Sequence, residues 1–425
     1  MLIANGRVID PAVKLDKVQT LCVENGHVKT ISDAPPADFE ADRVIDAAGL
    51  WVVPGLMDMH VHLREPGGED KETIATGTQA AAAGGVTAVA CMPNTDPVLD
   101  EESKIRYVVQ RGETCTARIY PVGSISKNLL GDELSPFGEM VKAGACAVSD
   151  DGKAVHNSLI MKSAFNYAKS FDIPIICHCE DKDLAAGAHM NEGPVSTRLG
   201  IRGIPSIAEE IFIARDIMLA EYTGARVHIA HVSSRGGVQI IREAKKRGVQ
   251  VTCETCPHYL TKCDEDLVEY DTHLKMNPPL RTPADREALI EAVVDGTIDV
   301  IATDHAPHVS EDKKDVEFEA AAFGIIGLET SVGVIMTALV HKKILSPFDM
   351  INKMSTVPHS ILKTGGGTLM PGVPADITII DPAGEWTVDT ACFYSKAVNT
   401  AWEGETLKGC ARATILGGRL VFERT

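Results

Sequence analysis

Alternation of apolar and polar positions marks the two ends of this 425-residue chain as β-rich. Residues 1–52 and 365–425 carry short alternating segments, and the dipeptides Asn5-Gly6 and Asn25-Gly26 are typical of tight hairpin turns. The string LIANGRVI near the start is echoed by TILGGRLV near the end. We therefore predict that both chain ends together form one small β-sandwich domain.

A different pattern fills residues 53–364, where short apolar strands alternate with helical stretches. The strand segments are LWVVPGLMDMHVHL, TAVACMPN, ARIYPVGSI, ACAVSDDG, IPIICHCE, RVHIAHVSS, VQVTCETCP and IDVIATDHAP. Helical segments such as SLIMKSAFNYAKSF and PADREALIEAVVDG lie between most of them. This succession predicts an α/β fold, a (β/α)8 TIM-like barrel, whose chemistry lies at the C-terminal ends of the strands. A doubly wound sheet would more often carry a glycine-rich turn after its first strand.

Composition and charge restrict the possible size of the core, the cellular compartment and the partners of the protein. With 44% hydrophobic residues the chain can build one large core and a smaller satellite. The sequence carries neither an apolar run of about 20 residues nor a basic N-terminal region followed by an apolar one, which predicts a cytoplasmic protein away from membranes. A formal charge of −18 disfavours nucleic acid as a partner, but not a small anionic substrate. The eleven cysteines indicate reduced, mostly buried thiols, with Cys253 and Cys256 structural.

Polar side chains follow five of the predicted barrel strands at the point where each ends. They are His60 and His62 after strand one, Asp150 and Asp151 after strand four, His178 after strand five, His231 after strand six and Asp304 after strand eight. Because the C-terminal ends of parallel strands meet at one rim, we expect these groups to converge. Imidazole and carboxylate ligands suit Zn²⁺, and this set is large enough for two ions that share a bridge. Five other histidines lack this placement and are interpreted as structural: His156, His189, His228, His341 and His359.

The first of these strand ends, DMHVHLREPG, raises a further expectation. On an extended strand, His60, His62 and Arg64 occupy alternate positions and point to the same side. Three such polar groups would be costly in an ordinary core, which favours a functional face.

Seven segments then point to a known family. In chain order they are DMHVHLREPG, MPNTDP, SDDG, MNEGPVS, ETCPHYL, MNPPLR and IATDHAPH. They resemble bacterial dihydroorotases of the amidohydrolase superfamily, and the resemblance covers essentially the whole chain. It implies the reversible cyclisation of N-carbamoyl-L-aspartate to L-dihydroorotate in pyrimidine biosynthesis, with a nucleophilic hydroxide bridging two zinc ions.

The resemblance also implies roles for the strand-end residues. The implied metal ligands are His60, His62, Asp151, His178, His231 and Asp304, and Asp304 doubles as general acid/base. Related hydantoinases and many dihydroorotases use a carboxylated lysine after strand four, whereas this chain reads VSDDGK. Lys153 lies past the strand end, so we expect Asp151 to bridge the metals and Asp150 to point away.

For the substrate, the resemblance implies one cation and three polar contacts. Arg64 would hold the substrate carboxylate with a bidentate hydrogen bond. Asn94 and His308 resemble further carboxylate contacts and Asn277 a ring contact, although both asparagines also suit strand-end turns. Residues 308–326 form a long connection that is either a lid or a solvated loop.

Three alternatives stay open at this point. Allantoinase usually has Asn in place of Arg64, and a hydantoinase would call for the missing lysine. A non-catalytic scaffold for aspartate carbamoyltransferase usually lacks ligands that are all filled here. The resemblance leaves homo-oligomerisation, assembly with aspartate carbamoyltransferase, and the choice among Zn²⁺, Co²⁺ and Mn²⁺ to be determined.

Overall fold

The computed structural model describes residues 1–424. Its strands are β1 (Leu2–Asp10), β2 (Leu15–Glu24), β3 (His27–Ser32), β4 (Val44–Asp46), β5 (Trp51–Pro54), β6 (Leu56–Val61), β7 (Val86–Cys91), β8 (Arg118–Gly123), β9 (Ala147–Ser149), β10 (Ile175–Cys177), β11 (Met190–Asn191), β12 (Gly203–Ile204), β13 (Val227–Ile229), β14 (Val251–Thr255), β15 (Val300–Ile301), β16 (Ile377–Thr387), β17 (Thr406–Leu416) and β18 (Arg419–Glu423).

Helices occupy most of the connections between the barrel strands. They are α1 (Ile74–Ala83), α2 (Glu102–Gly112), α3 (Phe137–Ala143), α4 (Ser158–Lys169), α5 (Lys182–Ala185), α6 (Pro194–Leu199), α7 (Ile207–Thr223), α8 (Arg235–Lys246), α9 (Pro257–Thr261), α10 (Pro283–Asp295), α11 (Ser310–Lys313), α12 (Ser331–Ile335), α13 (Pro347–Ile351) and α14 (Val357–Leu362). Among the helices of residues 1–424, none has both the length and the apolar character that crossing a bilayer requires.

Local sequence explains where these helices begin and end. For α10, the Oγ1 of Thr282 accepts a hydrogen bond from the backbone N–H of Asp285, and Pro283 fills the first helical position, where no backbone N–H is needed. The helix ends at Gly296, whose φ of 81° suits a residue without Cβ. The same kind of cap begins α8, where Ser234 accepts from Gly237.

Within residues 1–424, one eight-stranded parallel sheet forms the barrel, in the order β15-β14-β13-β10-β9-β8-β7-β6. Val61 forms a parallel bridge with His305, and the His62 N–H donates to the His305 carbonyl at 2.8 Å, which joins the two edge strands. The (β/α)8 fold and seven of the predicted strands are confirmed, while the first segment, LWVVPGLMDMHVHL, is divided between β5, which belongs to the other sheet, and β6, which begins the barrel. Apolar side chains such as Met59, Ile176 and Val300 form a cluster in the barrel interior.

The two chain ends share a second sheet, in the order β18-β17-β16-β5-β1-β2-β3, with β4 paired to β1. Its own core includes Ile3, Leu21, Ile377 and Ile415. The β2–β3 turn approaches the β17–β18 turn, because an added Cβ on Gly418 would lie 2.9 Å from the Cα of Gly26. Both chain ends therefore contribute to one sheet, as the echo between them predicts. The exact domain boundaries, 52 and 364, stay a prediction.

One hairpin prediction is confirmed and one is wrong. Asn25 and Gly26 connect β2 to β3, with φ of 50° and 79°. Asn5 and Gly6 instead lie inside β1, at a register shift between Ile3 and Gly6. Asn5 has a φ of 62° there. The same dipeptide that tolerates positive φ in a turn also suits a β-bulge.

Candidate active site

Four imidazoles and two carboxylates lie together at the C-terminal mouth of the barrel. They are His60, His62, Asp151, His178, His231 and Asp304, and all six are buried. Their donor atoms fall into two overlapping groups that share Asp151, one with His60 and His62 and the other with His178 and His231. The convergence expected from the strand ends is thus present in the structure.

In the first group, His60 and His62 on and after β6 face Asp151 after β9, and Asp304 after β15 lies beside them. The Nε2 of His60 lies 3.3 Å from Asp151 Oδ1 and 3.5 Å from Asp304 Oδ1. The Nε2 of His62 lies 3.0 Å from Asp304 Oδ1 and 3.5 Å from Asp151 Oδ2. Both rings therefore present Nε2 to the same pair of carboxylates.

The second group brings the ends of β10 and β13 to the other side of Asp151. Asp151 Oδ1 lies 3.5 Å from His231 Nε2 and 3.8 Å from His178 Nδ1, and these two nitrogens are 2.8 Å apart. His231 and Asp304 have φ of 36° and 51°. Non-glycine residues seldom occupy this left-handed region, and such strain is concentrated at functional sites.

These distances suit a metal centre. Two ligands of one tetrahedral Zn²⁺, each about 2.0 Å from the ion, lie about 3.3 Å apart. Among residues 1–424, two buried atoms that face each other in the cluster, His60 Nε2 and Asp151 Oδ1, make no hydrogen bond. Buried polar atoms are rarely left without a partner, so their arrangement fits cations better than a closed hydrogen-bond network.

The pKa shifts of the two carboxylates also favour a metal centre. Burial acts to raise the pKa of Asp151, but His60 and His231 outweigh it and hold that pKa well below its ordinary value. Burial likewise acts to raise the pKa of Asp304, and His60 and His62 keep it below its ordinary value. The carboxylates are therefore ionised, and the site favours positive charge.

The two adjacent aspartates after β9 have different surroundings. Asp150 Oδ1 accepts hydrogen bonds from the backbone N–H groups of Ile125 at 2.8 Å and Ser126 at 3.0 Å, away from the histidines. Lys153 is exposed and lines an outer cavity of about 420 Å³. Asp151, and neither Asp150 nor Lys153, lies among the imidazoles.

Arg64 does not lie on the extended strand face where the sequence pattern predicts it. β6 ends at Val61, the β6–β7 register shifts between Asp58 and Val61, and Arg64 has a φ of 60°. The prediction that Arg64 continues one extended strand face with His60 and His62 is therefore wrong, because the strand is bulged and has already ended. Burial lowers the pKa of Arg64 to about 10, while Asp304 and Asp151 act to raise it, so the guanidinium stays charged at neutral pH.

Arg64 and His308 lie side by side. Arg64 Nη2 is 3.3 Å from His308 Nε2, and Arg64 Nε donates to the Pro307 carbonyl at 3.1 Å. Burial, with Arg64 and Lys313 nearby, lowers the pKa of His308 to about 2, which leaves its ring neutral. The structure thus brings together two of the residues expected to contact the substrate.

The two asparagines have different positions. Asn94 Oδ1 lies 2.8 Å from His62 Nδ1 and orients that ring, a contact that the sequence did not indicate. Asn277 Oδ1 is buried without a hydrogen-bond partner among residues 1–424.

Two buried lysines form hydrogen bonds with the backbone of residues 308–326, the connection that follows β15. Lys313, at the end of α11, donates through Nζ to the carbonyls of Lys275 at 2.7 Å and Ala322 at 2.8 Å. Lys275 Nζ donates in turn to the Phe318 and Glu319 carbonyls. Residues 308–326 are thereby tied to the loop that carries Asn277; whether they move as a lid stays a prediction.

Sequence reasoning missed Glu254, which lies in the ETCPHYL segment at the end of β14. Glu254 Oε1 is 2.5 Å from His60 Nδ1, and Oε2 is 3.2 Å from His228 Nε2. Burial acts to raise the pKa of Glu254, but His60 and His228 outweigh it and keep it below its ordinary value. An acidic residue inside an otherwise buried strand was the available signal, and His228, interpreted as structural from sequence, is its hydrogen-bond partner.

Fold and donor set together define a class: a barrel hydrolase of the amidohydrolase type. The structure is similar to that of L-hydantoinase (dihydropyrimidinase) from Arthrobacter aurescens, with a TM-score of 0.90 at 26% sequence identity over 99% of this chain and 96% of that one. Dihydropyrimidinase from Brevibacillus agri shares the fold, with a TM-score of 0.86 at 22% identity over 99% of this chain and 95% of that one.

Sequence comparison identifies the family within this class. A family model described as dihydro-orotase-like matches residues 49–237. The chain is 52% identical to the dihydroorotase of Pelobacter propionicus over the full length of both proteins. It is 50% identical to that of Syntrophus aciditrophicus over 100% of this chain and 99% of that relative. The chain therefore belongs to the dihydroorotase family.

Proposed function

We propose that the protein is a dihydroorotase, a cyclic amidohydrolase that interconverts N-carbamoyl-L-aspartate and L-dihydroorotate plus water in pyrimidine biosynthesis. The observation that carries this proposal is a half-buried, charged Arg64 beside His308 and within the field of Asp304. A planar guanidinium is suited to a carboxylate. Dihydroorotate has a carboxylate next to its ring, whereas hydantoin and allantoin have none.

The proposed metal centre holds two Zn²⁺ ions. His60, His62 and Asp304 would hold one, His178 and His231 the other, and Asp151 would bridge them. When bound, such ions polarise a carbonyl and lower the pKa of water, as opening a cyclic amide requires.

Asp304 is the proposed proton carrier. In hydrolysis a water oxygen adds to the ring carbonyl carbon, and an Asp304 carboxylate oxygen takes a proton from that water. The carbon–nitrogen bond of the ring then breaks, and Asp304 returns the proton to the leaving nitrogen. In the biosynthetic direction the same oxygen accepts a proton from the attacking ureido nitrogen while the side-chain carboxyl loses water.

Substrate orientation is assigned to four residues. Arg64 would bind the carboxylate through paired N–H donors, and His308 would be its neighbour in the same subsite. Asn94, held by His62, and Asn277, with its free Oδ1, would complete the contacts to the carboxylate and ring.

Turnover measurements decide between this function and its rivals. Purified protein with its metal content determined is assayed with dihydroorotate, hydantoin and allantoin. We expect turnover of dihydroorotate, and turnover of the uncharged rings lower by orders of magnitude. Preferred hydrolysis of hydantoin or allantoin would replace the proposal with one of the other cyclic-amide hydrolases. Full metal loading without turnover of any of the three would favour the scaffold role.

We also propose a homo-oligomer, on the evidence of α7. Ile207, Ile211, Met218 and Tyr222 are exposed apolar side chains with spacings of four, seven and four residues, which places them on one helix face. Antiparallel packing of α7 against a second copy pairs Ile207 with Tyr222 and Ile211 with Met218. Light scattering should give a dimer or larger assembly for the wild-type protein and a smaller one for Met218→Glu. The control is Val44→Glu, a change at another exposed apolar residue on β4.

Two further assignments complete the proposal. Residues 53–364 would be the catalytic domain, and residues 1–52 with 365–425 the small domain. The location would be the cytoplasm, in keeping with cysteines that are all free thiols among residues 1–424. Assembly with aspartate carbamoyltransferase is tested by adding that purified enzyme to the light-scattering experiment.

A further inference from the structure

A row of polar groups runs through the barrel interior behind His60. His228 on β13 and Thr252 on β14 are register partners in the parallel ladder, and Glu254 lies two residues beyond Thr252 on the same face. His60, His228 and Glu254 have no exposed surface. The barrel interior also contains a cluster of apolar side chains, among them Ile176 and Ala230. A carboxylate at this depth requires donors on both oxygens.

The distances specify where the protons lie. Glu254 Oε1 is 2.5 Å from His60 Nδ1, and Oε2 is 3.2 Å from His228 Nε2. An ionised carboxylate only accepts, so both imidazole nitrogens donate to it. His228 Nδ1 then has no proton when the ring is neutral, and it accepts from the Thr252 hydroxyl at 2.8 Å. Each member of the row thus fixes the tautomer of the next.

We propose that Glu254 is a positioning residue for the metal ligand His60, an inference that rests on the proposed metal centre. With its proton held on Nδ1, the His60 ring presents the lone pair of Nε2 towards Asp151 and Asp304, at 3.3 Å and 3.5 Å. Glu254 also adds one negative charge close to the cations. Carboxylates that orient ligand histidines in this way raise metal affinity by about 10- to 100-fold.

His228 and Thr252 have a supporting part in the same arrangement. They hold the second oxygen of Glu254, so that the carboxylate cannot rotate away from His60. The row explains why polar residues interrupt β13 and β14 within an apolar interior, and why the ETCPHYL segment begins with a buried acid.

The test is Glu254→Gln, which keeps the shape and removes the charge. The His228 ring can change tautomer to meet the new amide, because the Thr252 hydroxyl can accept as well as donate. Zn²⁺ affinity is measured by competition with a chromophoric chelator, together with the thermal midpoint of the metal-free protein. We expect an affinity loss of about 10- to 100-fold with little change in the metal-free midpoint, and recovery of activity when Zn²⁺ is added in excess. Unchanged Zn²⁺ affinity would overturn the proposal and leave Glu254 a packing residue.

Two further variants keep the result interpretable. Glu329→Gln removes a half-buried carboxylate, one that accepts hydrogen bonds from the backbone of Tyr394 and Ser395, and should leave Zn²⁺ affinity unchanged. If Glu254→Gln does not fold, Thr252→Val takes its place: loss of the donor to His228 should lower Zn²⁺ affinity in the same direction, and an unchanged value overturns the proposal. Wild-type protein that binds Zn²⁺ but does not turn over dihydroorotate would instead overturn the proposed function alone.

Discussion

Asp150 and Asp151 are adjacent in sequence, yet their carboxylates lie in separate hydrogen-bonding environments. Asp150 accepts from the backbone of Ile125 and Ser126 and joins the end of β8 to the end of β9. Asp151 Oδ1 lies 3.3 Å from His60 Nε2 and 3.5 Å from His231 Nε2. One carboxylate therefore supports the loop that presents the other to the histidines.

The first prediction separates these two roles. Asp151→Ala should lower metal content strongly and leave the thermal midpoint of the metal-free protein close to wild type, because it removes the carboxylate that both histidine groups share. Asp150→Ala should lower the midpoint and retain more metal, since the backbone N–H of Ser126 loses its partner and that of Ile125 keeps only the Ser149 carbonyl at 3.3 Å. Elemental analysis and thermal unfolding of the two variants provide the measurement.

A related expectation concerns bicarbonate. With an aspartate in place of a carboxylated lysine, activity should be the same in bicarbonate-depleted and bicarbonate-supplemented buffer. Mass spectrometry that detects a carboxylated Lys153, or a bicarbonate requirement, would contradict the assignment of Asp151.

The second prediction concerns Asp304. Asp304→Asn should keep the fold and most of the metal, because the amide oxygen can still act as a ligand, but it cannot accept a proton. Activity should fall in both directions by about 10²- to 10⁴-fold. Single-direction assays with dihydroorotate and with N-carbamoyl-L-aspartate measure it. Near wild-type turnover in either direction would assign the proton transfer to another group.

The fold and the convergence of His60, His178, His231 and Asp304 could be predicted from sequence, for one physical reason. Parallel strands joined by crossover helices bring their C-terminal ends to the same rim, so residues far apart in the chain meet there. The alternation of strands and helices, together with polar residues at strand ends, was sufficient.

The same reasoning could not predict the positions of three residues: Arg64, Glu254 and Asn5. Alternation gives a side chain its face only while the strand continues, and the bulge in β6 ends that rule before Arg64. Glu254 lies behind His60 through contacts across the barrel interior, which the sequence of one strand does not specify. Asn5, with Gly6, could form either a turn or a bulge, since both use positive φ.

The third prediction is a pH effect at Glu329. Burial raises the pKa of Glu329 to about 7, against the lowering effect of hydrogen bonds from the backbone of Ser395 and Tyr394. A raised pKa means that the folded state binds the proton more tightly than the unfolded state. The resulting stabilisation is fully present below the ordinary pKa of 4.5 and is lost as pH rises to about 7.

Thermal unfolding of the wild type and Glu329→Gln between pH 4.5 and pH 8 checks this sign. The midpoint of the wild type should decline more across this range than that of the variant, because the amide does not ionise. Other groups titrate in the same window, but they are common to both proteins and cancel in the difference. Parallel curves would show that Glu329 is already ionised at the lower pH.

The fourth prediction tests the substrate-selecting role of Arg64. Arg64→Ala should lower kcat/KM for dihydroorotate by a factor that corresponds to about 2 to 5 kcal/mol, since the substrate carboxylate would then lie in the pocket without its cation. Arg64→Lys should recover little, because an ammonium is a point charge and not a planar pair of donors. Metal content serves as the control and should stay at the wild-type level in both variants.

Dihydrouracil, the same ring without the carboxylate, separates selection from support of the site. Arg64→Ala should hardly change its slow turnover, because the ring still meets the metal centre and Asp304 while the lost guanidinium had nothing to bind. The ratio of kcat/KM for dihydroorotate to that for dihydrouracil should therefore fall by nearly the whole effect seen with dihydroorotate. An equal loss for both rings would mean that Arg64, through its contacts to the Pro307 carbonyl and His308, maintains the shape of the mouth. The preference for a carboxylate-bearing ring would then have to come from a different cation.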